Sequence, residues 1–209
     1  MTDLLLITPN NSSKTYQSLN EKYSAIEPPT WALLLAESCR SKGYLVKILD
    51  TLAESLSDEN SLEIIKSINP SIICFVVYGQ NVNAGTTNMS GAVRLANFLK
   101  DNGVETQVGF IGSHVQALPK ETLENETAID FVFLNEGVYS LHDILDKRAF
   151  SSKQLEDVLA LAVKTNNGIL FTGPPRVVPQ DKLDLDLPGY AWDLLPYTNT
   201  PLDLYRSPF

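Results

Sequence analysis

The chain has 209 residues, which suits one domain with an appendage or two small domains. Its composition, 44% hydrophobic and 20% charged, is typical of a soluble globular protein, and no apolar run approaches the roughly 18 residues that a membrane span requires. A formal net charge of −9 argues against contact with a phosphate backbone, which calls for a basic face. We therefore expect neither membrane insertion nor direct nucleic-acid binding.

The chain begins with an apolar run over residues 4–7, which is typical of a strand covered on both faces. A polar stretch over residues 8–29 follows and leads into a helical pattern from Trp31, which Gly43 is expected to end. Residues 46–49 predict a second strand, and another amphipathic helix comes after it.

The middle of the chain repeats this alternation of strand and helix. Residues 72–77 are the clearest buried strand, and residues 78–87 predict a loop rich in glycine and side-chain amides. A helix that ends at Gly103 comes next. Residues 108–111 predict a fourth strand, and residues 112–119 predict a loop before a short helix.

A fifth apolar run, residues 131–134, precedes a last helix of this pattern. Five alternations of strand and helix predict a doubly wound, five-stranded parallel α/β sheet that is Rossmann-like or flavodoxin-like. Ligands of such sheets bind beyond the carboxyl ends of the strands, at the topological switch point. We therefore expect the functional residues in the loops 8–29, 78–87, 112–119 and 135–137.

The C-terminal part has a different pattern. Apolar runs at 159–163 and 169–172 flank an Asn-Gly pair, which predicts a hairpin, and spaced prolines after it predict an extended connector. We assign residues 1–148 to the wound domain and 149–209 to the hairpin and connector. Because the chain stops without a terminating element, we expect a further part beyond residue 209.

The cysteines and the N-terminus indicate a cellular location. Cys39 falls in a helical pattern and Cys74 in a buried strand, and neither has a partner at metal-ligand spacing. Two free core thiols, together with the lack of a signal-peptide pattern, predict a reducing, cytoplasmic location and no metal site in this chain.

Several ligand-binding motifs of this fold class are absent from the sequence. There is no GxGxxG fingerprint, P-loop or GxSxG elbow. The end of the first strand holds Thr8-Pro9-Asn10, where a phospho-acceptor receiver would need acids. The hydroxyls and amides of residues 8–15 leave open an independent flavodoxin-like protein that cradles a flavin phosphate.

Several short segments stand out in order along nearly the whole chain. They are Pro28-Pro29-Thr30-Trp31 with Gly43 and the strand ending in Asp50, then 69–73, Ile111-Gly112-Ser113-His114 with 117–119, 129–132 with Glu136-Gly137, the hairpin, and 183–188. Together these segments resemble the cobalamin-binding domains of radical SAM enzymes.

The resemblance implies a cobalamin cofactor bound base-off, with its nucleotide arm between the sheet and the helices. The DxHxxG motif that supplies a cobalt-ligating histidine in another class of cobalamin domains is absent. The CxxxCxxC triad is absent too, and an iron–sulfur cluster needs thiolates. A [4Fe–4S] cluster and S-adenosylmethionine are therefore implied only for a radical SAM barrel C-terminal to residue 209, with methyl transfer as the commonest chemistry and no catalytic residue in this chain.

The residues that would hold the cofactor lie in the predicted loops and supply hydroxyls, amides, or glycine backbone that a ligand can approach closely. They are Thr8, Pro9, Asn10, Asp50, Tyr78, Gly79, Gln80, Asn81, Asn83, Gly112, Ser113, His114, Glu136 and Gly137. Purely structural roles stay open for four of them: His114 as a turn residue, Glu136 at a helix start, Asp50 bonded to its own turn, and Tyr78 as a cap of the third strand.

Two departures from the family pattern keep a second function open. Thr30-Trp31 replaces a small, glycine-containing turn, and Ile111 and Ser113 flank Gly112 where the family often has glycine and proline. A domain of the same fold that has lost cobalamin, and that acts as a scaffold or a substrate-recognition module, would also explain this sequence.

Overall fold

The computed structural model describes residues 2–10, 26–78, 82–197 and Tyr205, with the backbone alone for residues 82–84. Within these residues, seven strands form one mixed sheet in the order β2-β1-β3-β4-β5-β6-β7. The strands are β1 (Thr2–Thr8), β2 (Val46–Asp50), β3 (Pro70–Val76), β4 (Val108–Ile111), β5 (Phe131–Phe133), β6 (Leu161–Thr165) and β7 (Gly168–Phe171).

The first five strands pair in parallel, and β6 and β7 add an antiparallel hairpin beside β5. The predicted α/β class and its C-terminal hairpin are confirmed. The hairpin also continues the parallel sheet: Val132 of β5 is the register partner of Ala162 of β6.

Within the described residues, eight α-helices connect or follow the strands. They are α1 (Thr30–Arg40), α2 (Asp58–Ile68), α3 (Val82–Asp101), α4 (Ser113–Ala117), α5 (Pro119–Asn125), α6 (Val138–Asp146), α7 (Ser152–Leu155) and α8 (Leu183–Asp186). None of the described helices is long and apolar enough to cross a membrane.

Two predicted loops contain helix. The loop expected over residues 78–87 ends early because α3 begins at Val82, although Gly85 and the threonines after it are poor helix formers. The loop expected over residues 112–119 contains α4, and Pro119 then starts α5 in the first helical position that proline favours.

The sheet separates two hydrophobic cores, because successive strand residues point to opposite faces. Leu4 and Leu6 of β1 pack with α1 and α6, and we call this side the α1/α6 face. Leu5 and Ile7 pack with α2, α3 and α5, and we call that side the α3 face. The neighbouring strands β1 and β3 thus send their helices to opposite faces, which places the topological switch point between them.

The connector after the hairpin is largely irregular, with 3₁₀ turns at Gln180–Lys182 and Trp192–Leu194. It does not lead straight away from the domain, because it lies against α1 and α6. The Ser38 hydroxyl of α1 donates to the Asp186 carbonyl at 2.5 Å. The Tyr139 hydroxyl of α6 donates to the Asp186 carboxylate at 2.7 Å. The connector therefore ties the two helices of one face together.

Candidate functional site

Three of the predicted site residues meet on one side of the carboxyl rim of the sheet. Thr8 and Asp50 are register partners at the ends of β1 and β2, and Tyr78 follows β3 and packs against the core of the α1/α6 face. Strand alternation places Thr8 on the side of Leu6, so all three lie toward the α1/α6 face. This is the side of the switch point that α1 covers.

Thr8 brings an unsatisfied hydroxyl to this rim. Its side-chain oxygen is buried and has no hydrogen-bond partner among the described residues, whereas its backbone carbonyl accepts bonds from the Thr51 amide at 3.1 Å and the Thr51 hydroxyl at 2.7 Å. A buried polar group without a partner costs about 1–3 kcal/mol. The hydroxyl is therefore suited to a polar group of a ligand.

Asp50 is held by protein groups on both of its carboxylate oxygens. The Ala53 amide donates to one oxygen at 3.1 Å, and the Tyr205 hydroxyl donates to the other at 2.9 Å. Burial raises the pKa of Asp50 from 3.8 to about 6, although both hydrogen bonds lower it. The structural role that the sequence left open, a bond to its own turn, is present.

Tyr78 is oriented by a side chain from α4. The Gln116 amide donates to the Tyr78 hydroxyl and to the Asn135 carbonyl, both at 2.7 Å. Burial, the largest influence, raises the pKa of Tyr78 to about 12. The hydroxyl therefore stays protonated at neutral pH and can donate a hydrogen bond toward a ligand.

Trp31 lies across the space between α1 and α6. Its indole N–H donates to the Glu136 carbonyl at 3.2 Å, and its ring lies 5.5 Å from that of Tyr78 between centroids. A pocket of about 120 Å³ remains here, lined by residues that include Pro28, Trp31, Val76 and Tyr78. The aromatic pair thus borders this pocket.

The α3 side of the rim is closed by tight packing. A Cβ on Gly112 would lie 2.3 Å from the Val77 carbonyl oxygen, and one on Gly85 would lie 2.7 Å from the Ser113 hydroxyl. Gly112 is thus required where β4 ends against β3, a structural need that does not involve a ligand.

His114 lies on the α3 face, apart from the residues at the ends of β1, β2 and β3. Its ring nitrogen is 3.3 Å from the Thr86 hydroxyl of α3, and it lines a separate pocket of about 130 Å³ with Met89 and Thr122. The chain's other histidine, His142, is buried on α6, 2.9 Å from the Ser38 hydroxyl.

The remaining predicted residues divide into three groups. Glu136 contributes its carbonyl to Trp31, and the Gly137 amide donates to the Asn135 side chain at 3.0 Å at the start of α6. Pro9 and Asn10 continue from β1, where the Asn10 carbonyl accepts from Arg94 of α3. Gly79, Gln80, Asn81 and the side chain of Asn83 lie outside the described residues.

The sequence interpretation missed three residues of this site: Trp31, Gln116 and Asn135. Trp31 stands out in the sequence only because it departs from the family pattern. That departure is the one feature of the sequence that could have identified it as a site residue. Asn135 lies in a loop expected to be functional, and a polar residue directly after a buried strand could have identified it. Gln116 gives no signal, because it lies on a helix within a segment that the sequence predicts as a loop.

Metal-ligating clusters are absent from residues 2–10, 26–78, 82–197 and Tyr205, where no three His, Cys, Asp or Glu side chains come together. Both cysteines are free and buried. Burial raises the pKa of Cys39 to about 12 and also raises that of Cys74. Both thiols therefore stay protonated at neutral pH, and neither offers a thiolate.

The chain is similar to larger proteins. It is 29% identical over 204 residues to the uncharacterized methyltransferase PH0819 of Pyrococcus horikoshii, and the match covers 98% of this chain and 40% of that protein. Its fold is similar to that of the cobalamin-dependent S-adenosylmethionine radical enzyme OxsB, at a TM-score of 0.67 and 13% identity over 93% of this chain and 24% of OxsB.

A second solved structure of similar fold is that of the radical S-adenosylmethionine methyltransferase TsrM of Kitasatospora setae. The TM-score is 0.60 at 16% identity, and the match covers 84% of this chain and 31% of TsrM. The sequence model of the B12 binding domain matches residues 17–145, which is more than half of the chain. This chain therefore belongs to the family of B12-binding domains.

Proposed function

We propose that this chain binds cobalamin at the carboxyl ends of β1, β2 and β3 on the α1/α6 face, and that it presents the cofactor to a radical SAM barrel in a longer protein. Membership of the B12-binding family and the fold shared with TsrM and OxsB support this proposal. The chain spans only 24–40% of the lengths of its relatives, so a barrel with its own [4Fe–4S] cluster and S-adenosylmethionine is part of the proposal.

The observation that carries the proposal is the Thr8 hydroxyl at the switch point. It is buried, and no described residue bonds it. The edge of a corrin carries carboxamides, which both donate and accept hydrogen bonds, so they can satisfy this hydroxyl and also accept from Tyr78. The donor set at this rim therefore fits cobalamin.

In this proposal the residues of the chain bind and orient, and the cofactor supplies the reactive metal. When bound, cobalamin supplies a cobalt ion that can carry a methyl group. Gln116 fixes the Tyr78 hydroxyl, and the Trp31 ring packs against the Tyr78 ring at 5.5 Å between centroids.

The proposal places no histidine of this chain on cobalt. His114 lies on the α3 face, and His142 is buried against Ser38. Burial also lowers the pKa of His142, so the imidazole is neutral and remains part of the helix packing. In this proposal cobalamin would be held without a histidine of this chain, in the base-off form that the sequence resemblance implies.

Methyl transfer from S-adenosylmethionine is the reaction that we propose for the longer protein. The Pyrococcus relative is named a methyltransferase, and so is TsrM. In this division of roles the chain contributes no catalytic residue of its own.

Titration of the chain with hydroxocobalamin tests the binding proposal. We expect a saturable change in the visible absorption spectrum, with one cobalamin bound for each chain and a base-off spectrum. An unchanged spectrum at all concentrations would contradict the proposal and would favour a scaffold that has lost the cofactor.

A further inference from the structure

We propose that Gln116 makes the Tyr78 hydroxyl an obligatory hydrogen-bond donor toward the ligand at the rim, so that the site selects a ligand with an acceptor oxygen at this place. The inference rests on the proposed cobalamin binding and deepens it. Gln116 itself touches no ligand in this proposal. It is a positioning residue that acts through Tyr78.

The orientation of the Gln116 side chain is the first support. One terminal atom of its amide lies 2.7 Å from the Asn135 backbone carbonyl and 2.7 Å from the Tyr78 hydroxyl oxygen. A backbone carbonyl can only accept a hydrogen bond, so this atom is the amide nitrogen and the side chain cannot be flipped. The two N–H protons of that nitrogen therefore serve one acceptor each.

The polarity of the Tyr78 hydroxyl follows from this orientation. Because Gln116 donates to the phenolic oxygen, the hydroxyl must direct its own proton elsewhere. Within the described part of the chain, Gln116 is the only hydrogen-bond partner of this hydroxyl. Burial raises the pKa of Tyr78 to about 12, so the proton is retained at neutral pH. Tyr78 is only partly buried, and its proton is left for a ligand.

The Asn135 carbonyl that orients Gln116 is itself held in place. The Asn135 side chain accepts from the Gly137 amide at 3.0 Å and donates to the Arg176 carbonyl of the connector. Only 7% of Asn135 is exposed. The loop after β5 thus offers Gln116 a carbonyl whose position is fixed by the start of α6 and by the connector.

This arrangement sets what the rim can bond. A carboxamide oxygen of a corrin can accept the Tyr78 proton, whereas a carboxamide N–H at the same place would meet another donor and stay unpaired. The neighbouring Thr8 hydroxyl has no such restriction, because a hydroxyl without a partner can donate or accept. Tyr78 therefore determines which end of a carboxamide faces it, and Gln116 imposes that choice.

Substitutions of Gln116 test the proposal, with hydroxocobalamin as the probe at about pH 8, where a carboxylate is ionised. Gln116→Glu keeps the shape but presents an acceptor, so the Tyr78 proton turns to the new carboxylate. Gln116→Met removes the donor and offers no strong acceptor. Gln154→Glu is the matched control, because it makes the same charge change on exposed α7, where the Gln154 side-chain oxygen already accepts from Ser151.

We expect the dissociation constant of hydroxocobalamin to rise about fivefold in Gln116→Glu and in Tyr78→Phe, since each removes one hydrogen bond to the ligand, and about twofold in Gln116→Met. Gln154→Glu should match the parent. In the Tyr78→Phe background, Gln116→Glu should cause no further loss, because the hydroxyl through which Gln116 acts is gone.

Two results would overturn the proposal. Equal losses in Gln116→Glu and Gln116→Met would show that Gln116 only holds α4 to the loop after β5. An undiminished effect of Gln116→Glu in the Tyr78→Phe background would show that Gln116 does not act through Tyr78.

The phenol C–O stretching band in the ultraviolet resonance Raman spectrum gives a readout without any ligand. Its frequency differs between a hydroxyl that accepts and one that only donates, and the difference between each protein and its Tyr78→Phe form isolates Tyr78. We expect this band to shift in Gln116→Glu and to stay in place in Gln154→Glu, and an unshifted band in both would overturn the proposal. The expected shift, together with no binding of hydroxocobalamin by any of the proteins, would support the donor assignment of Tyr78 and contradict the proposed cobalamin binding.

Discussion

The two faces of the sheet end differently at the carboxyl rim. On the α1/α6 face the strands end in the polar side chains of Thr8, Asp50 and Tyr78, with an aromatic cleft beside them. On the α3 face, Gly85 and Gly112 let the starts of α3 and α4 come within contact of the end of β3. The rim thus offers polar side chains that a ligand can bond on one face, and it is closed by backbone packing on the other.

The difference follows from the chain path. The connection after β1 leads to α1 on one face, and the connection after β3 leads to α3 on the other, so a crevice remains between the two strand ends. On the α3 side, Gly85 and Gly112 let the neighbouring segments pack so closely that no crevice remains there. If this account is right, filling the space at Gly112 on the closed face should lower stability, and removing the unpaired hydroxyl of Thr8 on the open face should weaken ligand binding.

Gly112→Ala should have the largest effect. The new Cβ would lie 2.3 Å from the Val77 carbonyl oxygen, so the backbone must shift, and we expect the free energy of unfolding to fall by about 3 kcal/mol. Urea denaturation measures this loss.

Gly43→Ala is the matched control for that substitution. Gly43 has a φ of +92° but no atom within 4 Å of the new Cβ, so its cost is that of the left-handed backbone alone, about 1 kcal/mol. Equal costs at the two positions would show that the rim at Gly112 is not tightly closed.

Asp50→Asn should have the next largest effect, and it should depend on pH. Because the pKa of Asp50 is raised to about 6, the folded state holds the proton more tightly than the unfolded chain. The protonated Asp50 carboxyl contributes its full share of the unfolding free energy below about pH 4, and this contribution is lost as the pH rises through about 6. The asparagine side chain cannot ionise, so at pH 7 the variant should be more stable than the parent by up to about 3 kcal/mol.

Thermal unfolding at pH 4 and at pH 7 measures this difference, with Asp184→Asn on the exposed connector as the control for net charge. A gain of the same size at both pH values would show that burial of the carboxylate is not its cause.

Much of the fold could be predicted from local patterns. The continuous apolar run of β3 and the alternation with helices indicated a parallel sheet, and parallel strands bring Thr8, Asp50 and Tyr78 to one edge. The five residues of α4 could not be predicted, because a segment of that length is too short to show helical periodicity.

The rest of the site depends on contacts between distant parts of the chain. The bond from Trp31 to the Glu136 carbonyl joins residues 105 positions apart, and it depends on how α1 and α6 pack on the sheet. The separation of His114 from Tyr78 likewise depends on which face of the sheet α4 covers. Short sequence patterns show neither how distant helices pack nor which face a helix covers.

Thr8→Val should have the smallest effect on stability and a clear effect on binding. Valine has the same shape without the unpaired hydroxyl, so we expect the unfolding free energy to stay within about 1 kcal/mol of the parent. The loss of one hydrogen bond to cobalamin should raise its dissociation constant about fivefold.

Thr122→Val is the matched variant on the α3 face, since the Thr122 hydroxyl is also buried without a partner among the described residues. It should alter stability as little as Thr8→Val and leave cobalamin affinity unchanged. Titrations of both variants with hydroxocobalamin compare the faces directly, and equal loss of affinity would refute the assignment to the α1/α6 face.

The most direct test of the central claim, that cobalamin binds on the α1/α6 face of the rim, is amide hydrogen exchange with and without hydroxocobalamin. We predict slower exchange on binding at residues 28–33, 76–78 and 135–138, and unchanged exchange in α5, which packs on the α3 face. Protection confined to α5, or no protection anywhere in the chain, would contradict the account.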